Sequence, residues 1–437
     1  MKRTDEDLTC VRPSPRQLVW QDLDMYAFIH FGMNTMTDRE WGMGHEDPAL
    51  FHPDSLDVQQ WMEALVSAGM TGVILTCKHH DGFCLWPSAY TSHSVASSPW
   101  KGGKGDLVRE VSDAAREHGL KFGVYLSPWD RTEESYGTEA YNDFYIHQLT
   151  ELLTGYGEVF SVWLDGACGE GANGKRQVYD WERIYATVRE LQPRAVISVC
   201  GPDVRWCGNE AGHTRADEWS VVPEIVRRAE TTAERSQKVD DGTFSRYIAS
   251  SEDDLGSRKA LDEYSGALVW YPAEVNTSIR PGWFYHAEED TCVRSANELF
   301  DIWCASVGGN ASFLLNVPPD SHGRIAVSDK EVLAELGTKI RDFYRREVIL
   351  DALDVTFEIP QLIEAVILRE DIRFGQRIES VKIYADEAKE PLASCQSVGN
   401  RRIWRIPARR LSRVRVDIEQ ARGEVHLKSC SIVVASP

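Results

Sequence analysis

No run of apolar residues in this chain approaches the roughly 20 needed to cross a bilayer. The opening residues, MKRTDEDLTCVRPSPRQ, carry basic side chains with no apolar stretch behind them. They do not read as an export signal, and a cytoplasmic location is the expectation. Basic charge is scarce: 48 Lys and Arg face 68 Asp and Glu, a formal net charge of −20 over 437 residues. That balance repels phosphate backbones and acidic lipid, so neither nucleic acid nor membrane is expected as a partner. The 10 cysteines are scattered and form no CxxC, which argues against a zinc ribbon and favours buried free thiols. Phosphate cradles are missing too. No GxGxxG follows a strand, and Lys101-Gly-Gly-Lys-Gly lacks both the P-loop spacing and a preceding apolar strand. HExxH is absent, and no cofactor is expected. Asn276 and Asn310 each open a glycosylation sequon, read here as chance.

What is present is a core. Apolar residues make up 42% and aromatics 10% of the chain, enough for a sizeable folded interior. Strand-like runs at 26–31, 72–76, 121–126, 160–164 and 195–199 alternate with helical spacing at 58–68, 107–118, 140–153 and 179–191. After a polar, irregular excursion over 220–265, strands return at 273–279 and 312–317, with helices at 295–307 and 330–345. The strands are apolar on both faces, as parallel strands covered by helices must be. The pattern predicts a (β/α)8-type, TIM-like barrel, with a doubly wound sheet as the other option. Residues 350–437 alternate in short runs without helices and predict a small antiparallel β-sandwich. The expected units are 1–347, a catalytic barrel, and 348–437, the sandwich.

Polar and aromatic groups collect where the strands end: His30; Lys78-His79-His80-Asp81; Tyr125, Ser127, Trp129 and Asp130; Asp165; Asp203, Arg205, Trp206 and Glu210; Arg280, Trp283, Tyr285 and His286; Asn316. For Asp165 alone, closing the run VFSVWLDG, a helix cap or turn would be the ordinary reading. Six strands with one habit point instead to a shared barrel mouth, where active sites sit. Rings beside His and carboxylate groups suit a sugar, which stacks its C–H face and hydrogen-bonds its hydroxyls. A metal-dependent barrel hydrolase using His30, His79 and His80 is the rival. Adjacent His79 and His80 on a strand would point to opposite faces and could not share an ion unless the strand breaks there, so no metal site is expected.

The segments FIHFGMNTMTDREWG, KHHDGFCLWPS, GVYLSPWDR, VWLDGA, GPDVRWCGNEAG, EVNTSIRPGWFYH and LLNVPPD together resemble glycoside hydrolase family 29, the retaining α-L-fucosidases. The likeness spans roughly residues 20–345, and the tail suits that family's β-sandwich. The extended EWG and GPDVRWCGNEAG segments resemble subfamily B, which acts on α-1,3/1,4-linked fucose of Lewis-type glycans; broad-specificity subfamily A is the near alternative. The resemblance implies Asp165 as nucleophile, with Leu164 where the family often has Phe, and Glu210 as acid/base. It implies hydroxyl contacts from His30, Glu40, His79, His80 and Tyr125, and a pocket wall of Trp163 and Trp283 near the sugar methyl. A fucosylated oligosaccharide is the implied partner. Asp203, Asp217 and Glu218 are the substitutes for Glu210, and Arg280 is unassigned near the mouth. His and Trp donors are expected to hold Asp165 ionised, and burial beside Trp206 to keep Glu210 protonated. A catalytically dead fucose lectin on the same scaffold would lose one of the two carboxylates; both are present.

Overall fold

The computed structural model describes residues 2–236, 246 and 254–435. Eight parallel strands form the main sheet: β1 (Met25–Ile29), β2 (Gly72–Lys78), β3 (Lys121–Leu126), β4 (Ser161–Leu164), β5 (Val196–Val199), β6 (Arg205–Trp206), β7 (Ala273–Ser278) and β8 (Ala311–Asn316). Their spatial order is β5-β4-β3-β2-β1-β8-β7-β6. The seam between β5 and β6 carries a single bridge, Ser198 to Val204, so the barrel is nearly closed. This settles the choice between a barrel and a doubly wound sheet.

Helices Val58–Ser67, Leu107–Glu117, Trp181–Leu191 and Ala296–Ser306 start where an Asp or Ser side chain accepts a first-turn N–H: Asp57 from Gln60, Asp106 from Arg109, Asp180 from Arg183, Ser295 from Glu298. Gly69 and Gly119 follow two of these helices with φ of 84° and 72°, the left-handed turn that ends a helix cheaply only at glycine.

Two cores follow from strand alternation. Met25, Ala27 and Ile29 of β1, and Val162 and Leu164 of β4, pack outward under the helices. Tyr26 and Phe28, Tyr125, Trp163 and Leu314 face the barrel interior, closed at the bottom by Trp20 and Leu23. The 220–265 excursion differs from the expected irregular loop. Val221–Pro223 pairs antiparallel with Leu268–Trp270, and helices cover Ala229–Arg235 and Arg258–Glu263. The parts of that stretch at 237–245 and 247–253 lie outside the described residues.

The C-terminal strands form one antiparallel six-stranded sheet. Its long strands, Asp354–Glu370 and Arg402–Ala421, are bulged where their register shifts, and they enclose a separate core around Val366, Ile383, Trp404 and Val414. The sheet docks at the strand-start end of the barrel, through the Gly309–Arg402 bridge, Asn400 to Asn310 and the Arg401–Asp24 ion pair. It therefore sits away from the barrel mouth. The cysteines are free, eight of them buried or half-buried and Cys10 and Cys292 exposed. Among the described residues no helix is long and apolar enough to cross a membrane.

Candidate active site

The alternation that fills the barrel also aims the polar groups. His30 continues the inward set Tyr26, Phe28; Asp165 continues Trp163; Asn316 continues Leu314. A mostly apolar strand thus fixes a carboxylate at the mouth. Leu164 lies on the opposite face, in the outer core, so the departure from the family's Phe does not touch the pocket.

His30, Trp163 and Asp165 line a solvent-open pocket with Glu40, Trp41, His79, His80, Tyr125, Glu210 and Trp283. The nine residues singled out for the site all lie in this one pocket. Trp41 and Phe28 join them. Trp41 lay inside the EWG segment and passed unnoticed because only the acid beside it was read as functional.

Asp165 Oδ2 accepts from the Tyr125 hydroxyl at 2.7 Å, and Oδ1 from the Ala167 N–H at 2.8 Å. Burial raises its pKa above the usual carboxylate range, opposed by the Ala167 N–H, the Tyr125 hydroxyl and the Gly166 N–H. The donors are thus a tyrosine and backbone amides, not the His and Trp groups expected; His80 Nε2 stands 3.8 Å away. Glu210 Oε2 accepts from Trp283 Nε1 at 2.9 Å. Burial first, then the nearby charge of Asp165, pushes its pKa up to about 8. Trp206, the expected neighbour, instead donates to Asn276 at 3.0 Å.

The three histidines are buried and neutral. Burial lowers His30 and His80 to about 3 and His79 well below its usual value. Their tautomers follow from the network. Asn316 Nδ2 donates to Ser278 Oγ at 2.9 Å and to the Trp283 carbonyl at 2.7 Å. Its Oδ1 therefore accepts from His30 Nδ1 at 2.8 Å, leaving His30 Nε2 as an acceptor. Ser127 donates to the Trp129 carbonyl, so it accepts from His80 Nδ1 at 2.7 Å, and His80 Nε2 is an acceptor too. Asn34 Nδ2 donates to the Glu40 carbonyl and toward His79 Nδ1 at 3.2 Å, leaving the proton of His79 on Nε2. Two acceptors and a donor converge on one pocket, which suits hydroxyl groups.

The strand does break before the two histidines, the one case in which they could share an ion. Strand β2 stops at Lys78, and the rings of His79 and His80 enter the same pocket with centroids 4.0 Å apart. One atom each from His79, His80 and Asp165 lies within 4.8 Å of the others, a set that could hold a metal ion. His30 is outside that set.

Glu40 is engaged more than expected. Its oxygens accept the N–H groups of Trp283 at 2.9 Å and Phe284 at 3.0 Å. Trp163 Nε1 donates to buried Glu274 at 2.8 Å, a partner the sequence did not reveal. Arg280 is not a mouth residue: it is fully buried, with two 2.8 Å bonds to Asp329. The substitutes for Glu210 face elsewhere. Asp203 pairs with Arg189, Glu218 is buried between Arg205 and Arg215, and Asp217 accepts from Gln396 and Ser397 of the C-terminal sheet.

Comparison with known proteins gives the family. The family model for alpha-L-fucosidase matches residues 45–342. Alpha-L-fucosidase 1 of Arabidopsis thaliana is 40% identical over 90% of this chain and 81% of its own length. A solved glycoside hydrolase 29 family member from an unknown rumen bacterium is 37% identical with a TM-score of 0.83, covering 98% of this chain and 78% of that one. A variant of a Ruminococcus gnavus GH29 fucosidase, solved in complex with fucose, is 25% identical with a TM-score of 0.81, covering 100% and 96%. The chain belongs to the alpha-L-fucosidase family, glycoside hydrolase family 29.

Proposed function

We propose that this fucosidase removes α-1,3/1,4-linked L-fucose from Lewis-type oligosaccharides by double displacement, with Asp165 as nucleophile and Glu210 as acid/base. The observation that carries the mechanism is the contrast between two carboxyls in one pocket. Burial raises both pKa values, but at Asp165 two amides and a hydroxyl that stabilise its anion oppose it, whereas Glu210 is pushed up to about 8 and keeps its proton at neutral pH. In the first step an Asp165 oxygen attacks the anomeric carbon, the glycosidic C–O bond breaks, and the Glu210 proton goes to the leaving oxygen. In the second, water attacks the same carbon, Glu210 takes the water proton, and the ester to Asp165 breaks. His30 and His80 accept from sugar hydroxyls through Nε2, while His79 donates through its own. Tyr125 and Glu40 complete the polar contacts, and Trp163 and Trp283 face the methyl.

The pH dependence follows. Asp165 must be ionised, so kcat/KM falls as pH drops through its pKa. Glu210 must be protonated, so kcat/KM falls as pH rises through about 8. A bell with its upper limb near that value is expected; a profile flat to pH 10 contradicts the assignment.

The linkage rests on the likeness of EWG and GPDVRWCGNEAG to subfamily B. Incubation with a Lewis-type trisaccharide should release free L-fucose. Turnover of an aryl fucoside with an intact trisaccharide would instead assign broad specificity. The His79–His80–Asp165 cluster favours a second, metal-dependent reading. In the proposed mechanism chelation leaves the rate unchanged, and loss of activity restored by a divalent ion would support the metal reading.

A further inference from the structure

His286 lies outside the pocket, yet both its ring nitrogens meet carboxylates. Nδ1 is 2.6 Å from Asp38 Oδ1 and Nε2 is 2.8 Å from Glu40 Oε1. Neither carboxylate can donate as an anion, so both ring nitrogens carry protons. The hydrogen bonds that His286 donates to Glu40 and then Asp38 raise its pKa to about 9 against burial. Glu40 spends its two oxygens on the N–H groups of Trp283 and Phe284 as well. Trp283 in turn donates its indole N–H to Glu210. Asp38, His286, Glu40, Trp283 and Glu210 form one continuous chain of hydrogen bonds from the protein surface to the pocket.

The backbone is shaped for this contact. Asp38 ends the helix Met33–Thr37 in the left-handed region, φ 54°, which turns its side chain back to the ring. A Cβ on Gly282 would come within 2.7 Å of Glu40 Oε1 and 2.9 Å of His286 Cδ2, so a side chain there would push the two groups from their places. Gly282 N–H is itself held by Glu289 at 3.0 Å.

We propose that His286 is a positioning residue for the hydrolysis: it locks Glu40 onto the Trp283–Phe284 backbone and so fixes the indole donor that faces Glu210. This rests on the assignment of Glu210 as acid/base. Around His286 stand Asp38, Glu40 and Glu289, with Arg280 acting on Glu289; around Glu210 stand Asp165 and Glu40. The Trp283 bond is the group that lowers the Glu210 pKa. Loosening it therefore raises that pKa and moves the upper limb of the kcat/KM profile to higher pH.

The test is the pH profile of His286→Gln and Asp38→Asn on a Lewis-type trisaccharide, whose leaving oxygen needs the Glu210 proton. Asp38 is 77% exposed, so its variant folds without strain and decides the matter if His286→Gln does not. His286→Gln should lose about tenfold or more in kcat/KM, and its upper limb should shift upward by about half a pH unit or more. Asp38→Asn should shift it the same way by less. Unmoved limbs in both variants, with the wild type active, overturn the positioning role, whatever the loss in rate. A wild type that releases no fucose would overturn the functional assignment instead.

Discussion

Replacing Asp165 with alanine should lower hydrolysis of an aryl α-L-fucoside roughly 10⁴-fold, and azide should restore turnover as β-L-fucosyl azide. Alanine removes the atom that attacks the anomeric carbon. It leaves the walls in place, because Trp163 is anchored on Glu274 and Tyr125 is packed among Phe28, His79 and Trp163. The vacated volume lies on the attacking face, so a small anion can enter and displace the phenol itself. One displacement gives one inversion, hence the β-azide from an α-substrate. Loss of less than tenfold, or an α-azide product, would remove Asp165 from the role. Released phenol measures the rate and NMR of the azide its configuration.

Glu210→Ala should divide substrates by their leaving groups. A sugar leaving group needs a proton, and release from a trisaccharide should fall roughly 10³-fold. A nitrophenolate leaves unaided, so the first step survives while hydrolysis of the ester, now without a base, becomes limiting. KM for the aryl substrate should therefore drop together with kcat. Azide needs no base and should attack the accumulated ester to give the α-azide, the opposite configuration from the Asp165 variant. The upper limb near pH 8 should vanish, since burial and the Asp165 charge place that ionisation on Glu210. Equal losses on both substrates with the limb retained would point to another acid.

The barrel was legible because alternation is a local property. The inward set Trp163, Asp165 and the outward set Val162, Leu164 can be read from SVWLD without coordinates. The β6 strand was missed because two residues, Arg205 and Trp206, give no period to detect. Glu210 sits on a loop where no periodicity applies, and only the family resemblance singles it out as acid/base from the polar groups around it. The sequence offers its neighbour Trp206 as companion, whereas the indole that reaches it comes from Trp283, 73 residues away. Arg280 differs for the same reason: it is fully buried, and its partner Asp329 lies 49 residues on. The adjacency of His79 and His80 was read with strand geometry, which ceases to apply one residue earlier, at Lys78.

Trapping of the glycosyl-enzyme tests the central claim most directly. A 2-deoxy-2-fluoro-α-L-fucosyl fluoride reacts through its good leaving group, while the fluorine slows breakdown of the ester. The intact protein should gain one fluorofucosyl unit, and peptide mapping should place it on Asp165. An adduct on any other side chain, or no adduct together with β-L-fucose as the first-formed product from an α-fucoside, would contradict double displacement through Asp165.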